Sequence, residues 1–220
     1  KPVFDRRVFL KTCTNGSSEL MTNLSMSLVN ALYNLQLMKI AGENGVAAYG
    51  AVMYVNFIFV ATFLGYAIGC APVISYHYGA GNHAELKNLY KKSMSIILVW
   101  GVILFGAAQL LAPVLSKIFV GYNTGLYAMT LHGFRVYAIA FLIIGINIFG
   151  SSFFTALNNG LISAVISFLR TLMFQVIMVL TLPLWFGING IWSAISVAEA
   201  LTLIMTTTFF VRQKDKYHYL

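Results

Sequence analysis

The sequence is poor in charged residues. Only 9% of its 220 residues are Asp, Glu, Lys or Arg, whereas a soluble domain carries about 25%. Hydrophobic residues make up 59%, and the mean hydropathy is +0.80. Long segments have no charge between their ends, which are Glu43–Glu85, Lys92–Lys117, Arg135–Arg170, Arg170–Glu199 and Glu199–Arg212. Because about 20 apolar residues cross a bilayer as a helix, the sequence predicts an integral membrane protein.

Cysteine is scarce too, and this excludes two further classes. Cys13 and Cys70 are too few and too far apart for a disulfide framework or a metal site. His77 and His83 do not have the spacing of a zinc protease, and no Ser or Cys lies in a nucleophile motif. An integral membrane enzyme needs such a converging set. The sequence therefore predicts no catalytic residue, no metal site and no cofactor.

The basic residues do not form a continuous stripe, although the net charge is +8. Nucleic-acid binders need such a stripe, interleaved with aromatic residues, so nucleic acid is excluded as a partner. Three basic clusters occur instead: Lys1, Arg6, Arg7 and Lys11; Lys87, Lys91 and Lys92; Arg212, Lys214 and Lys216. Under the positive-inside rule these predict that both termini lie in the cytoplasm and leave Lys39 and Lys117 outside.

Hydropathy and helix breakers predict six membrane-spanning helices. The expected spans are about 14–40 and 47–77, a third that follows a basic helical turn at 86–92 and runs to about 112, and then 126–156, 161–183 and 188–211. Pro113 and Pro183 are expected to end the third and fifth spans, with 114–124 as an outer connection. We expect an all-α membrane bundle over 14–211, a basic cytoplasmic lead-in at 1–13 and a cytoplasmic tail at 212–220. The chain begins at Lys1, so we expect it to be a piece of a longer protein.

Glycines occur between the first two spans and within the second. The segment 41–46 contains Gly42 and Gly45 and is expected to be a tight turn. Gly65 and Gly69 are four residues apart in the second span. Such a pair of small residues lets two helix backbones approach closely.

The first span carries a narrow polar stripe. Drawn as a helix, it places Glu19, Asn23, Asn30 and Asn34 within about 60° of arc, beside Ser27. In a membrane such a stripe lines an aqueous cavity or forms a polar seam between helices. We predict cavity lining.

Two opposite charges are expected near the membrane midplane. Arg170 lies in the fifth span and Glu199 in the sixth, where an unpaired charge costs about 2.5–3.5 kcal/mol. We predict that they form an intramembrane pair, which either fixes helix register or handles protons, ions or substrate. In the fourth span, Arg135 is a further charge that can extend to the outer interface. Asn147 is a candidate cavity residue or helix–helix contact.

Several motifs resemble one transporter family. The segment Pro72–Asn82 reads PVISYHYGAGN and precedes a basic helix start, and Thr155–Gly160 reads TALNNG. Arg170, Pro183 and the segment Phe186–Trp192 (FGINGIW) follow in order. Together they resemble the C-terminal half of multidrug and toxic compound extrusion (MATE) transporters, over most of residues 16–211.

The resemblance implies a function. MATE transporters have twelve helices in two six-helix lobes around a central cavity, and they export organic cations or drugs in exchange for Na⁺ or H⁺. It implies that this chain is the C-terminal lobe, in the cell membrane among lipids, with the N-terminal half as its partner. Several members have a glutamate in the middle of the first span, where this chain has Met26 and Ser27. The alternatives are a lipid-linked saccharide flippase of the same superfamily and a half-size homodimeric transporter.

Overall fold

The described part of this computed structural model is residues 6–219, without the side chains of residues 8, 14, 15, 17–19, 21 and 22. All the regular structure in this part is helical. The elements are α1 (Arg6–Gly79), α2 (His83–Val120), α3 (Thr124–Ala138), α4 (Phe141–Ala156), α5 (Gly160–Phe168), a π-helix (Leu169–Met173), α6 (Phe174–Phe186) and α7 (Ile188–Tyr217). The predicted all-α fold is confirmed.

Helix α1 reverses direction at Gly42. The backbone there has φ 62° and ψ −154°, a conformation that is not helical and is almost restricted to glycine. Tyr33 and Tyr49, on opposite sides of the break, stack with ring centroids 4.9 Å apart. The Tyr49 hydroxyl also donates a hydrogen bond to Asn30 Oδ1 at 3.0 Å. Residues 6–41 and 43–79 therefore pack side by side, and we call them the first and second arms of α1.

Gly42→Ala is expected to lower the free energy of unfolding by about 1–3 kcal/mol, because a Cβ is strained in this backbone conformation. No neighbouring atom lies within 4 Å of the Cβ position, so the effect reports the backbone alone. Denaturation in mixed micelles measures it. Gly50→Ala is the control, since Gly50 is helical and also has open space around its Cβ position. Equal stability of the two variants would contradict the role of Gly42.

The helices are long and apolar enough to cross a membrane repeatedly. Four of the described helices meet this condition, and the bent pair α3–α4 makes a fifth when its two helices are counted as one span. The described apolar part of α1 is 57 residues long, about twice what one pass needs. Because α1 reverses at Gly42, each of its two arms is available as a pass, and six passes in all stay a prediction.

The prediction that Pro113 ends the third span is wrong. Helix α2 continues through Pro113 to Val120, so most of the predicted outer connection is helix. Proline removes one backbone hydrogen bond, whereas ending a helix in lipid exposes several unpaired backbone groups. The next helix, α3, is capped by Asn123, whose side chain accepts a hydrogen bond from the Leu126 amide.

The fourth and fifth spans also differ from their predicted form. The fourth is broken between α3 and α4, which meet at an angle of 48°. The fifth passes through a π-helix and then through Pro183, and it ends at Gly187, where φ is +54°. A Cβ on Gly190 would collide with the carbonyl group of Leu182, so α7 starts in close contact with the end of α6.

The glycines at close helix contacts are not the predicted ones. Gly65 and Gly69 have open space around their Cβ positions, so the expected close approach at this pair is wrong. Gly145 on α4 instead packs directly against Phe63 of the second arm and Ile97 of α2. This contact fixes three helices against each other.

The turns at 79–82 and 157–159 lie at the same end of the bundle as the C-terminus, and we call this end the terminal end. The Tyr217 ring contacts Tyr78, and the Tyr217 hydroxyl accepts a hydrogen bond from Asn159 at 3.0 Å. His218 has a left-handed backbone that turns the chain back. Tyr219 is then buried, and its hydroxyl donates to the Phe210 carbonyl at 2.9 Å. Burial raises the pKa of this phenol. The last residues of the described chain are thus anchored to the bundle.

Candidate functional site

A cavity of about 290 Å³ lies between the two arms of α1, α3, α4, the π-helix, α6 and α7. Part of its wall is apolar, with Met26, Val60 and Ile148 among the contributors. Its polar lining residues are Asn30, Tyr33, Tyr49, Asn56, Tyr137, Arg170, Thr171, Gln175 and Glu199. An apolar cavity with a few convergent polar groups is the usual form of a small-molecule site.

One ion pair lies in the wall of this cavity. Arg170 Nε and Glu199 Oε1 are 2.9 Å apart, and no other ion pair joins side chains in the described part of the chain. The Glu199 side chain is fully buried, whereas Arg170 is 14% exposed. The amide of Asn147 donates to Glu199 Oε2 at 2.7 Å and to the Glu199 carbonyl at 2.9 Å. Both carboxylate oxygens are therefore bound, and the pair is neutral overall.

The π-helix positions Arg170. A π-helical turn is wider than an α-helical one, and such turns occur often at functional sites. In this chain it interrupts the fifth span at Leu169–Met173. Arg170 and Thr171 are consecutive, yet both line the cavity. The wide turn thus presents two adjacent polar side chains to one space.

The polar stripe of the first span is distributed over several environments. Asn30 lines the cavity and accepts the hydrogen bond from Tyr49. Asn23 and Asn34 are exposed, and Asn34 lies on a shallow groove that continues past Asn30 along the second arm. The side chain of Glu19 lies outside the described residues. A cavity role for the stripe beyond Asn30 stays a prediction.

The two polar residues predicted in the fourth span lie apart from each other. Asn147 is fully buried and is not part of the cavity wall; it contacts the site through Glu199. Arg135 is exposed, and its backbone carbonyl accepts a hydrogen bond from Gln109 at 3.0 Å. It lies outside the cavity lining.

Sequence reasoning missed the tyrosines of the cavity wall. Tyr33, Tyr49 and Tyr137 are buried there, although tyrosine in a membrane protein is usual at interfaces. The spacing of Tyr49 and Asn56 could have indicated a polar helix face, since residues seven apart lie on the same face of a helix. Tyr33 Oη and Asn56 Oδ1 have no hydrogen-bond partner among the described residues. The wall can therefore donate and accept further hydrogen bonds.

The wall can bind a ligand in two ways. Tyrosine rings attract organic cations and pack against flat apolar groups. The unpaired hydroxyl and amide oxygens bind polar groups. Among the described His, Cys, Asp and Glu residues, no group of three could hold a metal ion.

Comparisons with known proteins identify similar molecules. The model of the MatE family matches residues 20–181, and no curated protein sequence matches the chain. A crystal structure of MATE in the straight conformation is similar with a TM-score of 0.90 and 19% identity, over 99% of this chain and 49% of that one. The outward-facing structure of a multidrug resistance MATE family transporter gives 0.89 and 20%, over 98% and 48%. A transporter of the MOP superfamily from Pyrococcus furiosus, whose binding pocket is described as having reverse polarity, gives 0.86 and 20%, over 96% and 48%. The chain spans about half the length of these structures.

Proposed function

Since this chain belongs to the MatE family, we propose that it is one six-helix half of a multidrug efflux antiporter of the cell membrane. The transporter exports organic cations or drugs in exchange for Na⁺ or H⁺. The observation that carries the proposal is the tyrosine-lined cavity with the Arg170–Glu199 pair in its wall. The cavity supplies aromatic surface for the drug, and the charged pair supplies groups that respond to a cation.

The second half of the transporter is the proposed partner of the first arm. Large apolar side chains along this arm are exposed, among them Leu24, Leu28, Leu35 and Met38. Similar structures are about twice as long as this chain. Their other half is about the size of a second lobe, which we propose covers the exposed side chains of the first arm. Rocking of one repeat against the other around a central site is the usual mechanism of repeat-built transporters. The substrate would then be exposed to each membrane face in turn.

The proposed orientation places the terminal end in the cytoplasm. It contains the 79–82 loop and the C-terminus, and the three basic clusters flank these segments or the N-terminus. Loops rich in Lys and Arg stay on the cytoplasmic side.

Tyr49→Leu in the full-length transporter is expected to weaken binding of a cationic dye by about tenfold, because a desolvated cation–π contact contributes about 0.5–2 kcal/mol. Tyr49 is 5% exposed and lies in the cavity wall. Dye binding to the purified protein and dye efflux from cells measure the effect. Tyr122→Leu is the control, since Tyr122 is 82% exposed and lies outside the cavity.

Two outcomes would contradict the proposal. One is unchanged dye binding and efflux in Tyr49→Leu at normal expression. The other is a deletion strain that keeps its drug resistance but accumulates lipid-linked saccharide precursors, which would identify a flippase.

A further inference from the structure

Four hydroxyl groups form a continuous file between α4 and α5. Thr155 Oγ1 lies 2.6 Å from Ser163 Oγ, Ser163 Oγ lies 2.9 Å from Ser151 Oγ, and Ser151 Oγ lies 2.8 Å from Ser167 Oγ. Ser163 and Ser167 are buried, with exposed fractions of 0% and 4%. Each neighbour in this file is within hydrogen-bond distance of the next.

The file runs from the terminal end toward the ion pair. Thr155 is next to the last residue of α4, beside the turn at Leu157–Asn159. On α4, Ser151 is one turn deeper, and Asn147 is one turn beyond Ser151. On the facing helix α5, Ser163 and Ser167 are four residues apart, and Arg170 follows Ser167 after less than one turn. Residues four apart on a helix lie on the same face.

The inner end of the file lies about one helical turn from Asn147 and Arg170, which both bind Glu199. Asn147 donates to Glu199 Oε2, whereas its own Oδ1 is buried and has no hydrogen-bond partner within the described part. Thr171 donates to the Ser167 carbonyl at 2.7 Å and lines the cavity. The remaining separation from Ser151 to the level of Asn147 is one helical turn, about 5.4 Å. A side-chain rotation or one bridging water spans such a distance.

We propose that this hydroxyl file is a proton path from the terminal end to Glu199; this rests on the proposed antiport function. A hydroxyl both donates and accepts hydrogen bonds. A proton added to the Thr155 oxygen is followed by release of a proton from each hydroxyl to the next oxygen. Ser167 Oγ releases the last proton through one bridging water to a Glu199 carboxylate oxygen, where the new O–H bond replaces the hydrogen bond from Arg170 or Asn147. The reverse sequence returns the proton, and no group in the file is altered.

Protonation of Glu199 changes the cavity. The neutral carboxyl group no longer balances Arg170, so the guanidinium charge acts on the cavity and repels a bound organic cation. The titratable groups that face Glu199 are Arg170 of the π-helix, Tyr33 and Tyr49 of the two arms and Tyr137 of α3. Glu199 is the one carboxylate among these groups, and it is the residue that the file approaches.

The same geometry favours a proton over Na⁺ at Glu199. Arg170 already lies 2.9 Å from the carboxylate. Both carboxylate oxygens already accept N–H donors, from Arg170 and from Asn147, so neither is free to join the several oxygen ligands that a metal cation needs. A proton binds the oxygen directly and removes the attraction between the two residues.

Ser163→Ala in the full-length transporter, reconstituted in liposomes with an internal pH-sensitive dye, tests the proposal. We expect drug-driven proton flux to fall at least about tenfold, since a positioned proton-transfer group contributes about 10²–10⁴-fold. Binding of the same cationic dye should be unchanged. Ser93→Ala is the matched control: Ser93 is also buried and accepts a hydrogen bond between helices, from Tyr66, outside the file. If Ser163→Ala does not fold, Ser167→Ala removes the inner end of the file and takes its place.

A folded Ser163→Ala or Ser167→Ala variant with wild-type proton flux would overturn the proton path. Drug efflux by the wild type with no proton flux and with dependence on Na⁺ would also overturn it, while leaving the antiport function intact. A third result would separate the two proposals. If proton flux needs Ser163 but the protein exports no drug, the proton path is supported and the proposed substrate class is contradicted.

Discussion

Glu199→Ala is expected to lower the free energy of unfolding by about 3–5 kcal/mol, which is the usual cost of removing one partner from a buried ion pair. The variant leaves Arg170 in the cavity wall without its 2.9 Å partner. It also removes one of the two acceptors of the Asn147 amide and leaves only the backbone carbonyl of residue 199. Reversible unfolding of the purified protein in mixed micelles measures the loss.

A double-mutant cycle shows whether the loss comes from the pair. Arg170→Ala alone should also destabilise the protein, but Arg170→Ala combined with Glu199→Ala should lose less than the two single losses added together. Glu43→Ala is the control, because Glu43 is exposed beside the Gly42 break. Additive single losses would contradict a coupled pair.

Phe153→Ala is expected to cost about 3–5 kcal/mol of unfolding free energy, which is the usual range for deleting a buried aromatic ring. Phe153 is 0% exposed. Its ring centroid is 5.4 Å from Tyr90 on α2, 5.9 Å from Phe210 on α7 and 4.9 Å from Tyr219. The ring therefore joins three parts of the chain to α4.

The matched control is Phe186→Ala at the end of α6. Phe186 is 62% exposed, so its loss leaves no internal cavity. The same unfolding measurement should give a difference of several kcal/mol between the two variants. Similar stability of Phe153→Ala and Phe186→Ala would show that the terminal aromatic cluster does not hold the bundle together.

These two clusters stabilise different levels of the bundle. The Phe153 cluster lies at the terminal end, where it anchors Tyr219, whereas the Arg170–Glu199 pair lies in the cavity wall. The Arg170–Glu199 pair is neutral overall, so it does not attract organic cations to this lobe by a net charge. Attraction of a cation by this wall would come from the rings of Tyr33, Tyr49 and Tyr137, which makes the Tyr49→Leu measurement the sharper test of substrate class.

The sequence alone determined the helical class and the character of a multi-pass membrane protein. Charges are expensive in lipid, so their absence between Glu43 and Glu85, or between Arg135 and Arg170, marks spans directly. The segments Pro72–Asn82 and Phe186–Trp192 resembled a family that is now confirmed over residues 20–181. These features depend on local composition and order, which a single chain displays.

Only the tertiary structure decided where helices continue, where they break and which side chains share a cavity. Pro113 does not end its helix, because one missing hydrogen bond costs less than the several backbone groups that a helix end leaves unpaired. The bend between α3 and α4 and the π-helix have no proline to mark them in the sequence. Tyr33 and Tyr49 became wall residues because Gly42 reverses the chain and stacks their rings. The hydroxyls of Ser151 and Ser163 meet only because α4 and α5 pack together. Such contacts depend on how separate helices pack, and the period of one helix does not contain that information.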